Sequence, residues 1–449
     1  MPKPTDIRIL EATSSTVALD YRTPIKFGGQ VVSTAVLLDV EVLVETRDGR
    51  RDAGRGSMPM GNIWAWPKAG DASKALQAMT ALGERLARES PHKAGQGHPL
   101  DLTSALAQSR TNFAQHATRA LGIDGPMPVL AQLVSASPLD AAIHDAYGKV
   151  LGRNAFNLLG ESLVSHDLGY YLDADFAGEY LDRYTQREPK PRMPLYHLVG
   201  ALDPLTTAEV VKPVADGLPE TLAEWIVADG LTHLKIKLNG DDLAWDVARV
   251  AAVEAVANEV QSLRGIDTWH YSTDFNERCE SVDYVLDFLA GVRERAPSAL
   301  ARIQYIEQPT RRDLLDRPEY RMHEASRIRP VVIDESLIDL ESLRLARRLG
   351  YSGVALKACK GQTESLLLGA AAQKYGMFLC VQDLTCPGAS FLHSASLAAR
   401  IPGVAAVEGN GRQYCPAGNQ GWADRFPSMF DIHDGTLGTG VLNGPGLGF

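Results

Sequence analysis

Five charged residues close five short apolar runs in the C-terminal two-thirds of this chain. Lys237 ends LKIK (234–237), Asp274 ends HYSTD (270–274), Glu307 ends IQYIE (303–307), Asp334 ends VVID (331–334) and Lys357 ends GVALK (353–357). The spacings are 274 − 237 = 37, 307 − 274 = 33, 334 − 307 = 27 and 357 − 334 = 23 residues, and each gap holds one helix and two turns. A strand that buries its body and exposes one charged tip is what a parallel barrel presents at its C-terminal rim. Three acids flanked by two lysines would then converge on one point.

A chain of 449 residues is expected to hold a large domain and a smaller one, because single cores rarely grow past roughly 250–300 residues. Its formal net charge of −10 argues against a nucleic-acid or anionic-membrane partner. An anionic substrate stays open, since a bound cation can reverse the local field. The five cysteines are an odd number without metal-ligand spacing, which reads as free thiols in a reducing compartment. The opening MPKPTDIRIL carries no apolar stretch like a signal peptide, and no run approaches a membrane span. The expected location is the cytoplasm.

Residues 36–45 alternate through VLLDVEVLVE, and Asp48-Gly49 supplies a turn before 50–56, which predicts an antiparallel hairpin. Helical patterns follow near 74–88 and 103–121, and a third starts at Ser137-Pro138 as cap and first-turn proline, ending near Gly152. Strands followed by helices suggest a separate α+β domain over about 1–160. Residues 161–193 are the least regular, and TQREPKPRMP (185–194) is expected to cross the surface between domains. From Leu195 onward strand and helix signals alternate eight times. Strands are predicted near 195–199, 232–237, 270–274, 302–307, 330–334, 353–357, 377–382 and 404–408. The fold class is therefore α/β: a (β/α)8 TIM-type barrel over 161–408 with an N-terminal α+β capping domain. The Gly-, Pro- and Asn-rich tail, 409–449, is expected to pack against the first domain and complete it.

Each charged tip has an ordinary reading: a solvated lysine, a helix cap or an ion-pair partner. Three carboxylates on consecutive strand tips are harder to place that way, because they repel unless a divalent cation sits between them. All-oxygen ligation suits Mg²⁺, with Mn²⁺ as a substitute. Asp334 and Glu335 are adjacent, and spacing does not choose between them. Lys235 and Lys237 share a face of their strand, and two like charges lower one lysine's pKa toward that of a base. Lys357 ends the sixth strand, across the barrel from the second, so two bases could reach both faces of one carbon. Lys360, in the loop beyond, reads as a rim charge.

These pieces together resemble the enolase superfamily, in the branch of muconate-lactonizing enzymes, o-succinylbenzoate synthases and dipeptide epimerases. The resembling segments are KIK (235–237), DFN (274–276), IEQP (306–309), DES (334–336), LKACKG (356–361) and LDAAIHDAYGKVLGRNAFNLLG (139–160). The resemblance implies that Lys237 and Lys357 are the acid/base pair and that Lys235 tunes Lys237. It implies that Asp274, Glu307 and Asp334 hold Mg²⁺, with Asn276 and Glu335 supporting them from behind. The capping domain would close over the barrel mouth and choose the substrate through the loops 23–30 and 57–66, which makes Phe27 and Trp64 specificity candidates. Glu408, at the end of the eighth strand, is a third.

Three departures narrow the chemistry. Gly361-Gln362 stands where many relatives carry Gly-Gly. VEGN (407–410) replaces the Asp-x-Asp by which dipeptide epimerases hold a substrate ammonium. The seventh-strand end offers Asp383 but no histidine, which disfavours mandelate-racemase chemistry, and His393 reads as a packing residue. The expected reaction is removal of the proton α to a small-molecule carboxylate, giving an enolate. Racemisation or epimerisation is the first reading, with cycloisomerisation or syn-elimination by a lyase as the alternative. A catalytically silent metal-binding relative is the remaining reading. A barrel hydrolase would advertise a His-x-His that is absent from the sequence. The resemblance also implies a homo-oligomer.

Overall fold

The structure, a computed structural model, describes residues 2–27 and 30–449. Its N-terminal part is an antiparallel sheet of β1 (Ile7–Phe27), β2 (Gln30–Thr46), β3 (Arg51–Pro59) and β4 (Gln96–Gly97), in the order β3-β2-β1-β4. The expected hairpin is β2–β3, in register from Leu37 opposite Pro59 to Glu45 opposite Arg51. The strand β1 is an addition. Its stretch Glu11 to Leu19 is mostly exposed on both faces, so it has no period-two apolar rhythm and is held by pairing with β2. Of the segment 23–30, expected as a loop, residues 23–27 are strand and Gln30 opens β2, while 28–29 lie outside the described residues. The Phe27 side chain lies outside the described part.

On this sheet pack α1 (Asn62–Ala65), α2 (Ala72–Lys93), α3 (Pro99–Ala120) and α4 (Val129–Val150). A Cβ on Gly54 would stand 2.1 Å from Ala146 N, and one on Gly56 would stand 2.0 Å from Pro138 O. These two glycines let β3 and α4 touch backbone to backbone. Ser137-Pro138 does not start a helix, contrary to expectation, and Pro138 lies inside α4. Proline cannot satisfy the carbonyl four residues back, but the Ser137 hydroxyl donates to that carbonyl, Val134 O, at 2.8 Å. Helix α2 repeats the device: Ser90 donates to Ala87 O at 2.8 Å, ahead of Pro91. A Ser-Pro pair that reads as a helix start can thus carry a helix through.

The rest of the chain closes eight parallel strands into a barrel: β5 (Met193–Val199), β6 (His233–Lys237), β7 (His270–Asp274), β8 (Ile303–Glu307), β9 (Val331–Ile333), β10 (Gly353–Lys357), β11 (Phe378–Gln382) and β12 (Val407–Glu408). Pairing of β12 with β5 completes the ring. Tyr196, Tyr305, Val332, Ala355, Cys380 and Ala406 pack against one another as an inner layer, so the barrel is a filled core and not a pore. Along the irregular stretch before β5, Lys190 donates to Ile401 O at 2.7 Å and Val404 O at 2.8 Å, at the end of the helix Ala389–Arg400.

The tail binds both parts. Its β13 (Thr436–Leu437) pairs antiparallel with β5, and the Leu447 amide donates to Asp145 of α4 at 3.0 Å. All five cysteines are free and buried. Among the described residues no helix is long and apolar enough to cross a membrane.

Candidate active site

The barrel brings the charged tips to one rim. Lys237, Asp274 and Glu307 are level partners across β6, β7 and β8, Asp334 directly follows β9, and Lys357 ends β10. Strands β6 and β10 are four apart in a ring of eight, so Lys237 and Lys357 enter from opposite sides. All five residues are at most 4% exposed.

Each acid is drawn onto a lysine. Lys237 donates to Asp274 and, at 3.2 Å, to Asn276. Lys235 stands 2.7 Å from Glu307, 2.9 Å from Glu408 and 3.2 Å from Asp274. Lys357 and Lys360 each stand 3.0 Å from an oxygen of Asp334. Gln308, in its left-handed conformation (φ 28°), accepts from the amides of Asp334 and Ser336 at 2.9 and 3.2 Å and so shapes the turn after β9.

This pairing sets the proton affinities. Burial pulls Lys235 down, but Glu307, Glu408 and Asp274 hold it well above the ordinary lysine value. Burial likewise opposes the charge on Lys357, and Asp334 outweighs it and keeps that ammonium protonated. Lys235 therefore sits among three carboxylates that favour its charged form. Burial and then Asp274 push Glu307 well up, burial and Asp334 push Glu335 up to about 8, and burial and Glu408 push Asp383 up to about 6.

Six buried carboxyls (Asp274, Glu307, Asp334, Glu335, Asp383, Glu408) face four buried amines (Lys235, Lys237, Lys357, Lys360). Full ionisation would leave 6 − 4 = 2 negative charges without a counter-charge, which is the charge of one divalent cation. The Oε2 atom of Glu335 has no hydrogen-bond partner. A hard divalent ion such as Mg²⁺ therefore fits the donor set in charge and in ligand type. Among the described residues no three acidic, imidazole or thiol side chains stand close enough to enclose an ion; Asp274, Glu307 and Asp334 are each turned onto a lysine.

The N-terminal domain reaches this rim through one side chain. From α1, Trp64 donates its indole N–H to Glu335 Oε1 at 2.8 Å, and its ring lies 4.9 Å from Lys357 Nζ and 5.7 Å from Lys360 Nζ. Arg312 donates to the Trp64 carbonyl at 2.9 Å and pairs with Glu277. Beside Trp64 a cavity of about 510 Å³ opens at the barrel mouth, lined in part by Trp66, Asn276, Arg312 and Glu335.

Sequence reasoning brought Trp64 to this place but misjudged Lys360, which is buried and bonded to the turn carrying Asp334. It also passed over Gln308 and Gln382, the latter donating to Glu307. The K-x-x-K spacing of Lys357 and Lys360 was the available signal for Lys360. Glu408 faces Lys235 and Asn410, inside the rim. Asp383 accepts from the amides of Asn410 and Cys386. His393 is a packing residue, 2.8 Å from Gln362 Oε1.

The closed barrel thus carries acids at the tips of strands three to five and lysines on strands two and six. The family model described as enolase C-terminal domain-like matches residues 218–449, and the chain belongs to that family, the enolase superfamily. Solved structures share the fold over its length. A dipeptide epimerase from Enterococcus faecalis V583, in complex with Mg and L-Leu-L-Tyr, is 16% identical with a TM-score of 0.62, covering 98% of this chain and 99% of its own. A muconate lactonizing enzyme from Pseudomonas fluorescens is 18% identical at 0.60, over 98% and 96%. The N-succinyl Arg/Lys racemase from Bacillus cereus ATCC 14579 is 17% identical at 0.61, over 98% and 95%. No curated protein matches the sequence.

Proposed function

We propose that this protein is a Mg²⁺-dependent racemase or epimerase that moves the proton α to a small-molecule carboxylate between two lysines. One observation carries the reading: Lys237 and Lys357 end strands on opposite sides of the barrel, and both are buried at the same acid-rich rim. Asp274, Glu307 and Asp334 are the residues that would hold the cation. When bound, the cation would supply Lewis acidity to the substrate carboxylate and take up the negative charge that now holds Lys357 protonated.

The chain's own residues do the rest. One lysine accepts the α-proton from its face and the other returns a proton from the opposite face, which inverts the carbon. Trp64, pinned between Glu335 and Arg312, closes the rim over Lys357 and keeps water from the charge that develops. Asn276 holds Lys237 from the side. Glu408 is engaged by Lys235, so the eighth strand offers no free carboxylate to a substrate ammonium, and this disfavours a dipeptide. Five buried free thiols suit a reducing compartment such as the cytoplasm.

The test is α-proton washout. The protein with Mg²⁺ is incubated in D₂O with a panel of chiral α-substituted carboxylates, and the α-proton signals are followed by NMR. Loss of signal with inversion supports the reading. Loss of a β-substituent or ring opening replaces it with the elimination or cycloisomerase reading, and no exchange in any member rejects it.

A further inference from the structure

Lys360 is not an obvious part of the two-base scheme, yet it is 3% exposed, a costly place for an ammonium. Its Nζ donates to the main-chain carbonyls of Asp334 and, at 3.3 Å, Leu337, and stands 3.0 Å from Asp334 Oδ1. Two of these three acceptors are carbonyls, which a cation at the carboxylates would leave in place. Lys360 thus ties the turn after β9 to the loop after β10.

That loop is anchored from the capping domain. Asp140 of α4 accepts from the Thr363 amide and from the Thr363 hydroxyl, both at 2.8 Å. His144 Nε2 and Thr103 Oγ1 stand 2.9 and 3.1 Å from the same hydroxyl. Between them Gly361, at φ 112°, runs so close to Asp140 that a Cβ there would stand 2.8 Å from its Oδ2. Ser365 donates to Lys357 O at 2.8 Å. The segment 357–365 is therefore fixed at both ends, with Lys360 projecting from its middle.

We propose that Lys360 is a positioning residue for Asp334: seated by the Asp140–Thr363 contact, it sets the turn that presents Asp334 to the cation. This rests on the reading that Asp334 helps hold Mg²⁺. The opposite role makes the opposite prediction. A lysine that only neutralised Asp334 would compete with the metal, and its removal would tighten binding. A lysine that places the turn would weaken binding when removed, by about 10–100-fold, the usual loss for groups that orient metal ligands.

The experiment is calorimetric titration with Mg²⁺ alone on wild type, Lys360→Met, Asp140→Asn and Asp334→Asn, with thermal melts to establish folding. Lys360→Met is expected to bind Mg²⁺ about 10–100-fold more weakly while folded, and Asp140→Asn to shift affinity in the same direction. Unchanged or tighter binding in folded Lys360→Met overturns the proposal. Should Lys360→Met fail to fold, unchanged or tighter affinity in Asp140→Asn overturns it instead. Wild-type affinity in Asp334→Asn removes the metal reading itself, a failure distinct from a Lys360 variant that binds normally while Asp334→Asn does not.

Discussion

The indole N–H of Trp64 and the Oε1 atom of Glu335 lie 2.8 Å apart, joining the capping domain to the residue that follows Asp334. The same ring lies over Lys357 at 4.9 Å, so one side chain both latches the two parts and covers a proposed base. A buried indole with its polar atom satisfied is rigid, and its coverage of an ammonium is favourable through the ring face.

Truncation at this position should uncover the lysines. In Trp64→Ala, Lys357 and Lys360 are expected to be acylated by a water-soluble anhydride, whereas in wild type, at 4% and 3% exposure, both stay protected. Peptide mass spectrometry reads the sites. Equal protection in the two proteins would show that Trp64 is not the cover.

The buried ion cluster makes a stability prediction. Lys235→Met leaves Glu307, Glu408 and Asp274 without their shared counter-charge and is expected to cost about 3–5 kcal/mol in urea unfolding. Replacement of the exposed Lys68 by Met should stay within about 0.5 kcal/mol. Similar costs for the two would mean that Lys235 is not the hub of the cluster.

A third prediction concerns pH. Burial, with Asp140 adding to it against Arg110, raises Glu364 from its ordinary 4.5 up to about 7. In that window the folded protein holds a proton that the unfolded chain has released, so stability falls as pH rises from about 4.5 to about 7 and levels off above. Glu364→Gln removes the titrating group, and its urea midpoint should depend less on pH over that range. An identical slope in wild type and variant would place the Glu364 proton affinity near its ordinary value.

Much of the barrel was legible because each strand is buried along its body and ends in a charge, a pattern that local sequence preserves. VVID and GVALK show strand, end and rim residue within a few letters. The strand β1 was not legible, because EATSSTVAL is exposed on both faces and carries no apolar period. The start of α4 was misread because the Ser137 hydroxyl's service to Val134 O is a contact between side chain and backbone, invisible in composition. Lys360 looked like a rim charge because its acceptors, the carbonyls of Asp334 and Leu337, come from a turn more than twenty residues away. Sequence spacing located the acids and lysines, while which acid turns onto which lysine depends on side-chain geometry and charge.

The two opposed lysines are tested most directly by following each enantiomer of a turned-over carboxylate separately in D₂O, in Lys237→Ala and Lys357→Ala. Each variant is predicted to stop racemisation, while each retains α-proton exchange of one enantiomer only, the two variants sparing opposite ones. Racemisation that persists in either variant, or exchange of the same enantiomer surviving in both, would contradict the account.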